Sequence, residues 1–276
     1  MTNILNYQHF PVYSVMVLFL GAFLIVMFGR NKTFRNIIAF LAVSISLACM
    51  IYLVRPVMLE GEIISYWMAA SDVYKRQAVF VSCVYSFKYM SHDDNVPQYY
   101  TLFLMLAGGV MGLVLSGDIF NMFIMVEILT FAAVALTAFR NTAHGALEAA
   151  FKYLVVGCIG STCILVGTIM LYAQVHTLNF AQLSALIPGN LNNSTKLAFA
   201  LLFVGFSTKA FIVPFHPLAA DAHRAAPASI SVLISGVLTK SGIYGIIRLT
   251  YFLFQSMGLG AMQFLLVFVG SVSMFV

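Results

Sequence analysis

The feature that most constrains this chain is a series of long, nearly uncharged apolar runs. They lie near residues 11–29, 36–54, 77–90, 99–117, 118–139, 145–173, 196–217, 228–252 and 259–276. About 20 apolar residues cross the hydrocarbon of a bilayer, so these runs together take up nearly the whole length. Of the 276 residues, 62% are apolar and only 8% are charged, with a mean hydropathy of +0.97. A soluble domain carries about 25% charged residues. A water-soluble globule of this composition could not cover its own surface, and a disordered chain would leave far too much apolar surface in water. Backbone in lipid must satisfy its own hydrogen bonds, which leaves helices or closed barrels. The runs are continuous rather than short and alternating, so they are helices. The expected fold is an all-α, polytopic transmembrane bundle of about nine helices.

The formal charge of +5 comes from lysines and arginines scattered singly, with no basic stripe, so a nucleic-acid partner is not indicated. Cys49, Cys83, Cys158 and Cys163 all sit in apolar stretches and form no CxxC, which gives neither a zinc site nor a disulfide framework. The chain has no GxGxxG, P-loop or paired-histidine haem signature. No cofactor and no metal is expected. The N-terminal residues lack the basic start of a signal peptide. With the N-terminus outside, the inner loops hold Arg30, Lys32, Arg35, Lys88, Arg140 and Arg224, and the outer ones Arg55, Lys75, Arg76 and Lys196. That asymmetry favours the N-outside orientation.

Charges inside the runs are the exceptions. An ionisable group at the bilayer centre costs at least a few kcal/mol and marks a functional site by default. Glu127 lies about nine residues into its run, roughly 14 Å deep in a core of ~30 Å. Lys209 and Lys240 reach similar depth in theirs. Lys152 is shallower and can pair with Glu148 at i,i+4, while Arg248 lies near a helix end and can snorkel. Burial disfavours a charged lysine and a nearby carboxylate favours it. A lysine whose acidic partner approaches and retreats can therefore load and release a proton. A static buried ion pair is the competing reading, but here the deep amines outnumber the deep acids.

Pro214, one turn beyond Lys209, removes a helix hydrogen bond and is expected to break or kink that helix near 209–217. Broken helices at membrane depth line hydrated cavities and ion sites. His216, Asp221 and His223 follow in the next loop, where histidine could pass protons inward. Gly108, Gly109 and Gly112 form a small-residue face suited to close helix packing.

These residues resemble a known family. Gly117-Asp118-Ile119-Phe120-Asn121-Met122-Phe123-Ile124-Met125-Val126-Glu127 is similar to the fifth-helix motif of the antiporter-like subunits shared by respiratory complex I (NADH:quinone oxidoreductase), Mrp-type sodium/proton antiporters and membrane-bound hydrogenases. Glu148 through Tyr153 resembles the sixth-helix motif, and Lys209 with Pro214 the broken seventh helix. Asp221 through Ser231 and Leu238 through Gly245 resemble the following loop and the eighth helix. The resemblance implies a modulating carboxylate at Glu127, a proton-carrying lysine at Lys209 and a central lysine at Lys240. It implies assistance from Lys152 and a cytoplasmic entry at His223. The family builds its pump from two inverted five-helix repeats.

The implied organisation is N-terminal transmembrane helices over 1–98, a first antiporter-like repeat over 99–252 and the start of a truncated second repeat over 253–276. Ser71 to Gln77 departs from the family pattern and is expected to damage the third helix, leaving only 77–90. The implied function is proton translocation, with or without sodium exchange, within a multi-subunit complex in a prokaryotic inner membrane. Its partners would be the other membrane subunits, protons and lipid. Any redox chemistry would belong to the parent complex, so whether the enzyme label applies stays open. The alternatives are a secondary transporter of a small organic anion and a transport-inactive structural subunit.

Overall fold

A computed structural model describes residues 10–60, 66–93, 95–140, 145–253 and 259–275, with the backbone alone for 53–60, 66–73 and 259–263 and at Asn190 and Phe252. The signal-peptide reading falls on residues outside this range. Described residues form helices α1 (Phe10–Phe28), α2 (Lys32–Glu60), α3 (Tyr66–Tyr89), α4 (Val96–Leu115), α5 (Ile119–Thr137), α6 (Ala146–Val175), α7 (Phe180–Leu186), α8 (Asn193–Ala210), α9 (Pro217–Ala225), α10 (Ala228–Leu233), α11 (Thr239–Ile247) and α12 (Leu259–Phe275). The segment from α10 through α11 to Leu253 is one continuous helix with wider turns at Ile234–Leu238 and Arg248–Leu253. Among the described residues there is no strand, only an isolated bridge between Asp118 and Asn179. The expected all-helical bundle is what the chain forms.

Helix starts follow the local sequence. The Asp118 carboxylate accepts from the amides of Phe120 (2.8 Å) and Asn121 (3.0 Å), and Asn192 accepts from the amide of Thr195 at 2.9 Å. Both are N-caps that satisfy amides a helix cannot satisfy itself. Among the described residues, six segments have the length and apolarity to cross a bilayer: Phe10–Phe28, Lys32–Tyr52, Val96–Leu115, Ile119–Thr137, Ala146–Val175 and Ala228–Tyr251. α3 and α8 carry more polar residues, and α12 is shorter at 17 residues.

Burial sets the layers. α4 is the central helix, with Tyr99, Tyr100, Phe103, Leu104, Ala107 and Met111 all fully enclosed. α1 buries only Ser14, Leu18, Gly21, Ala22 and Ile25, one stripe at helical spacing, and turns Phe23, Val26 and Met27 outward. In lipid such an outward apolar face carries no penalty, so tight helix contact is made by small residues instead. Gly109 meets this expectation, since a Cβ there would lie 3.0 Å from the Leu129 backbone nitrogen in α5.

The structure corrects the sequence reading in α3. Residues 71–77 run as uninterrupted helix, and α3 has 24 residues instead of the short stretch expected. No proline or glycine lies between Tyr66 and Tyr89, so nothing local stops the helix. Lys75 and Arg76, assigned above to an outer loop, are instead buried within α3. Arg76 donates to the carbonyl of Ser46 at 3.2 Å and to the Ser46 hydroxyl, and the Lys75 ammonium lies 5.2 Å from the Tyr244 ring centre. Arg55 likewise falls inside α2.

A second correction concerns the helix carrying Lys209. It ends at Ala210, four residues before Pro214. Phe211 takes a left-handed φ of 53°, its amide bonds to the Thr208 carbonyl (3.4 Å), and the Ile212 amide bonds to the Ser207 carbonyl (3.1 Å). This is a Schellman ending with phenylalanine where glycine is usual, a strain of roughly 1–2 kcal/mol. Burial of Phe211 and its ring contact with Tyr153, 5.7 Å between centres, hold it there. Irregular chain covers 211–216 before α9 begins, so the break near 209–217 is real, with Pro214 lying exposed within it.

Candidate functional site

Lys209 is the penultimate residue of α8 and only 2% exposed. α8 is held on two sides by close backbone approach. A Cβ on Gly205 would stand 2.6 Å from the Gly160 carbonyl of α6, and one on Gly242 of α11 would stand 2.5 Å from the Ala210 amide nitrogen. The end of α8 is therefore seated against both neighbours, and the Lys209 side chain extends between α5 and α6. There Nζ donates to Thr130 Oγ1 at 2.9 Å and to the Gly157 carbonyl at 2.8 Å. Gly157 leaves room for this, because a Cβ there would press on Thr130 at 3.0 Å and lie 3.7 Å from Nζ.

Glu127 sits on α5 one turn before Thr130 and is partly exposed. Its charge reaches Lys209 electrostatically. Among the described residues, however, no ion pair within 4.0 Å joins the two. The Lys209 contacts are a hydroxyl and a carbonyl, both neutral. A static buried ion pair is not what this site contains.

Lys152 belongs to a separate cluster at the N-terminal end of α6. Its ammonium pairs with Glu148 at 2.7 Å and with Asp221 of α9 at 3.4 Å, and the side chain is half exposed. The i,i+4 pairing is the one expected from sequence. Lys152 precedes Gly157 by five residues, about 7.5 Å along the helix axis, so α6 links the two clusters.

His223 on α9 places Nδ1 2.7 Å from Ser231 Oγ, and burial pushes its imidazole below the usual histidine range. It borders a cavity of about 540 Å³ lined also by Tyr89, Arg140, Arg224 and Ser235. Arg140 is fixed there by a bidentate contact to Asp93 (3.1 and 2.8 Å), which holds its guanidinium above its ordinary value. Nδ1 of His216, at the start of α9, is buried with no hydrogen-bond partner among the described residues.

Lys240 stands apart. It follows the wide turn Ile234–Leu238, and its side chain is exposed on the outer face of α11. Gly242, two residues on, faces α8, and two residues on a helix are about 200° apart. The α11 backbone therefore touches that of Lys209 while the Lys240 side chain points away. Among the described residues Lys240 makes no hydrogen bond or ion pair.

Thr130 and Gly157 are site residues the sequence reading missed. Their signals were spacing alone: Thr130 is i+3 from Glu127, and Gly157 begins a Gly157, Gly160, Gly167 series on α6. Among the described residues no group of three or more His, Cys, Asp or Glu side chains gathers to hold a metal ion.

Comparison with known proteins matches residues 116–276 to the family described as NADH:quinone oxidoreductase/Mrp antiporter, transmembrane. The chain is 29% identical over 265 residues to a Na(+)/H(+) antiporter subunit of Bacillus subtilis, covering 90% of this chain and 53% of that protein. It is 34% identical over 162 residues to an NADH-quinone oxidoreductase subunit of Desulforudis audaxviator, 58% of this chain and 32% of that one. Among solved structures, a chain of an archaeal membrane-bound sulfane sulfur reductase superposes with a TM-score of 0.86 at 26% identity, covering 95% of this chain and 57% of that chain. The Mrp complex from Dietzia sp. superposes at 0.77 with 22% identity, covering 92% and 50%, a likeness of fold. The chain spans from a third to about half the length of these curated relatives. Its apolar helices and these relatives make it an integral, multi-pass membrane protein.

Proposed function

Because the chain belongs to the NADH:quinone oxidoreductase/Mrp antiporter transmembrane family, we propose that it translocates protons as one membrane subunit of a multi-subunit complex in a prokaryotic cell membrane. Lys209 carries the proton, Glu127 modulates it, Lys152 and His223 serve the cytoplasmic side, and Lys240 passes charge onward from the outer face of α11. The residues 99–252 act as the first antiporter-like repeat. The observation that carries this reading is a fully buried lysine held by neutral acceptors, with a carboxylate in reach but out of contact. An unpaired ammonium in the interior costs several kcal/mol. A group that expensive at membrane depth is retained for what it does.

The ends of the path are supported separately. His223, Arg140 and Arg224 border a cavity roomy enough for water at the end of the bundle where α6 begins, and the two arginines lie on the side that the charge asymmetry assigns to the cytoplasm. One of the relatives is named a sodium/proton antiporter subunit, so exchange against sodium is the form of the activity proposed for an Mrp-type parent. Partners are the other membrane subunits of that complex. The test is proton uptake into vesicles holding the assembled full-length complex. Glu127→Gln is expected to slow uptake severely, and an unchanged rate would remove Glu127 from the relay.

A further inference from the structure

We infer that Thr130 is the positioning residue of the Lys209 site, its hydroxyl oxygen holding the lysine amine on the α5–α6 seam in both protonation states. This inference rests on the proton-carrying reading of Lys209. Thr130 Oγ1 donates its own hydrogen to the Val126 carbonyl at 2.6 Å, one helical turn back. Its lone pairs are therefore the part presented to Lys209 Nζ, 2.9 Å away. The second contact, the Gly157 carbonyl at 2.8 Å, is an acceptor by nature. An ammonium has three N–H groups and an amine two, so the amine that has lost its mobile proton still satisfies both acceptors. The proton that leaves is the third one, and the nitrogen does not have to move to release it. Thr130 itself is 1% exposed, so the contact is shielded from bulk solvent.

Hydrogen bonds to a charged donor are stronger than those to a neutral one. Removing the hydroxyl therefore weakens the ammonium more than the amine. The titratable groups whose fields reach Nζ are Glu127 on α5 and Cys158 on α6, while α11 faces Lys209 with Gly242, which carries none.

The test is the pH profile of proton uptake by the assembled full-length complex in vesicles, for wild type, Thr130→Val, Thr130→Ser and Lys209→Ala. Thr130→Val is expected to move the alkaline limb to lower pH by about one unit, and Thr130→Ser to leave it in place. Thr130→Ala repeats the measurement if the valine variant fails to assemble. A Thr130→Val or Thr130→Ala profile that overlays wild type, with Lys209→Ala inactive, overturns the role of Thr130 and leaves the relay standing. A fully active Lys209→Ala overturns both.

Discussion

Replacing Gly242 by alanine tests the closest approach in the site. The added Cβ would stand 2.5 Å from the Ala210 nitrogen and 2.7 Å from the Lys209 carbonyl carbon. Both are backbone atoms of the last turn of α8, which cannot rotate aside as a side chain would. Ordinary contact begins near 3.4 Å, so α11 and α8 must separate by roughly 1 Å, in a bundle as tightly packed as an organic crystal. Overpacking of this kind costs about 1–3 kcal/mol, and the rigid partner places it at the upper end. Alanine's better helix propensity returns about 0.5–1 kcal/mol, leaving a net loss of about 2 kcal/mol. Gly236, on the same continuous helix with nothing within 4 Å of its would-be Cβ, is the control. Denaturation of the complex in detergent is expected to show Gly242→Ala clearly weakened and Gly236→Ala unchanged or slightly firmer. Proton uptake should fall with Gly242→Ala as well, because the displaced helix end carries Lys209 off its two acceptors. Equal stability for both variants would refute the claimed contact between α11 and α8.

Further outcomes follow from other contacts. Asp221→Asn removes one partner of Lys152, an ion pair at the surface of the chain, and should change stability by less than about 1 kcal/mol while slowing proton uptake. His223 has its proton affinity lowered by burial, so its contribution to stability is present above the ordinary histidine range and is lost as pH falls through the lowered value. Acid is therefore expected to expose α9 to protease, and His223→Gln, which keeps a partner for Ser231 without titrating, should abolish that sensitivity. Arg248 donates to the Ser116 carbonyl and lies 4.4 Å over the Phe180 ring. Arg248→Lys loses the planar stack and should lower the resistance of the assembled complex to detergent denaturation.

Much of this architecture was legible because lipid tolerates so few alternatives. The apolar runs at 11–29, 99–117 and 118–139 became α1, α4 and α5 within a few residues. The reading failed where polarity and helicity part company. Ser71 to Gln77 is polar yet contains no breaker, so α3 continues through it, and Lys75 and Arg76 turn inward. At the end of α8 the break itself was legible but its cause was not: the stop lies in the left-handed Phe211, a residue with no sequence signature for that role. Lys209 and Glu127 stood out from sequence because a charge in hydrocarbon is expensive. Thr130 and Gly157 did not, since a hydroxyl and a bare carbonyl become a site only when α5, α6 and α8 meet. Depth could be counted for Lys240, but its direction depends on which face of α11 packs on α8, and Gly242 decides that.

Two lysines of α8 provide the most direct test of the central claim. Lys209 is buried near one end of the helix and Lys196 is exposed near the other. Proton uptake should be measured in vesicles containing the assembled full-length complex with either lysine replaced by methionine. The account predicts that Lys209→Met abolishes uptake while Lys196→Met retains it. Uptake at the wild-type rate with Lys209→Met would contradict it.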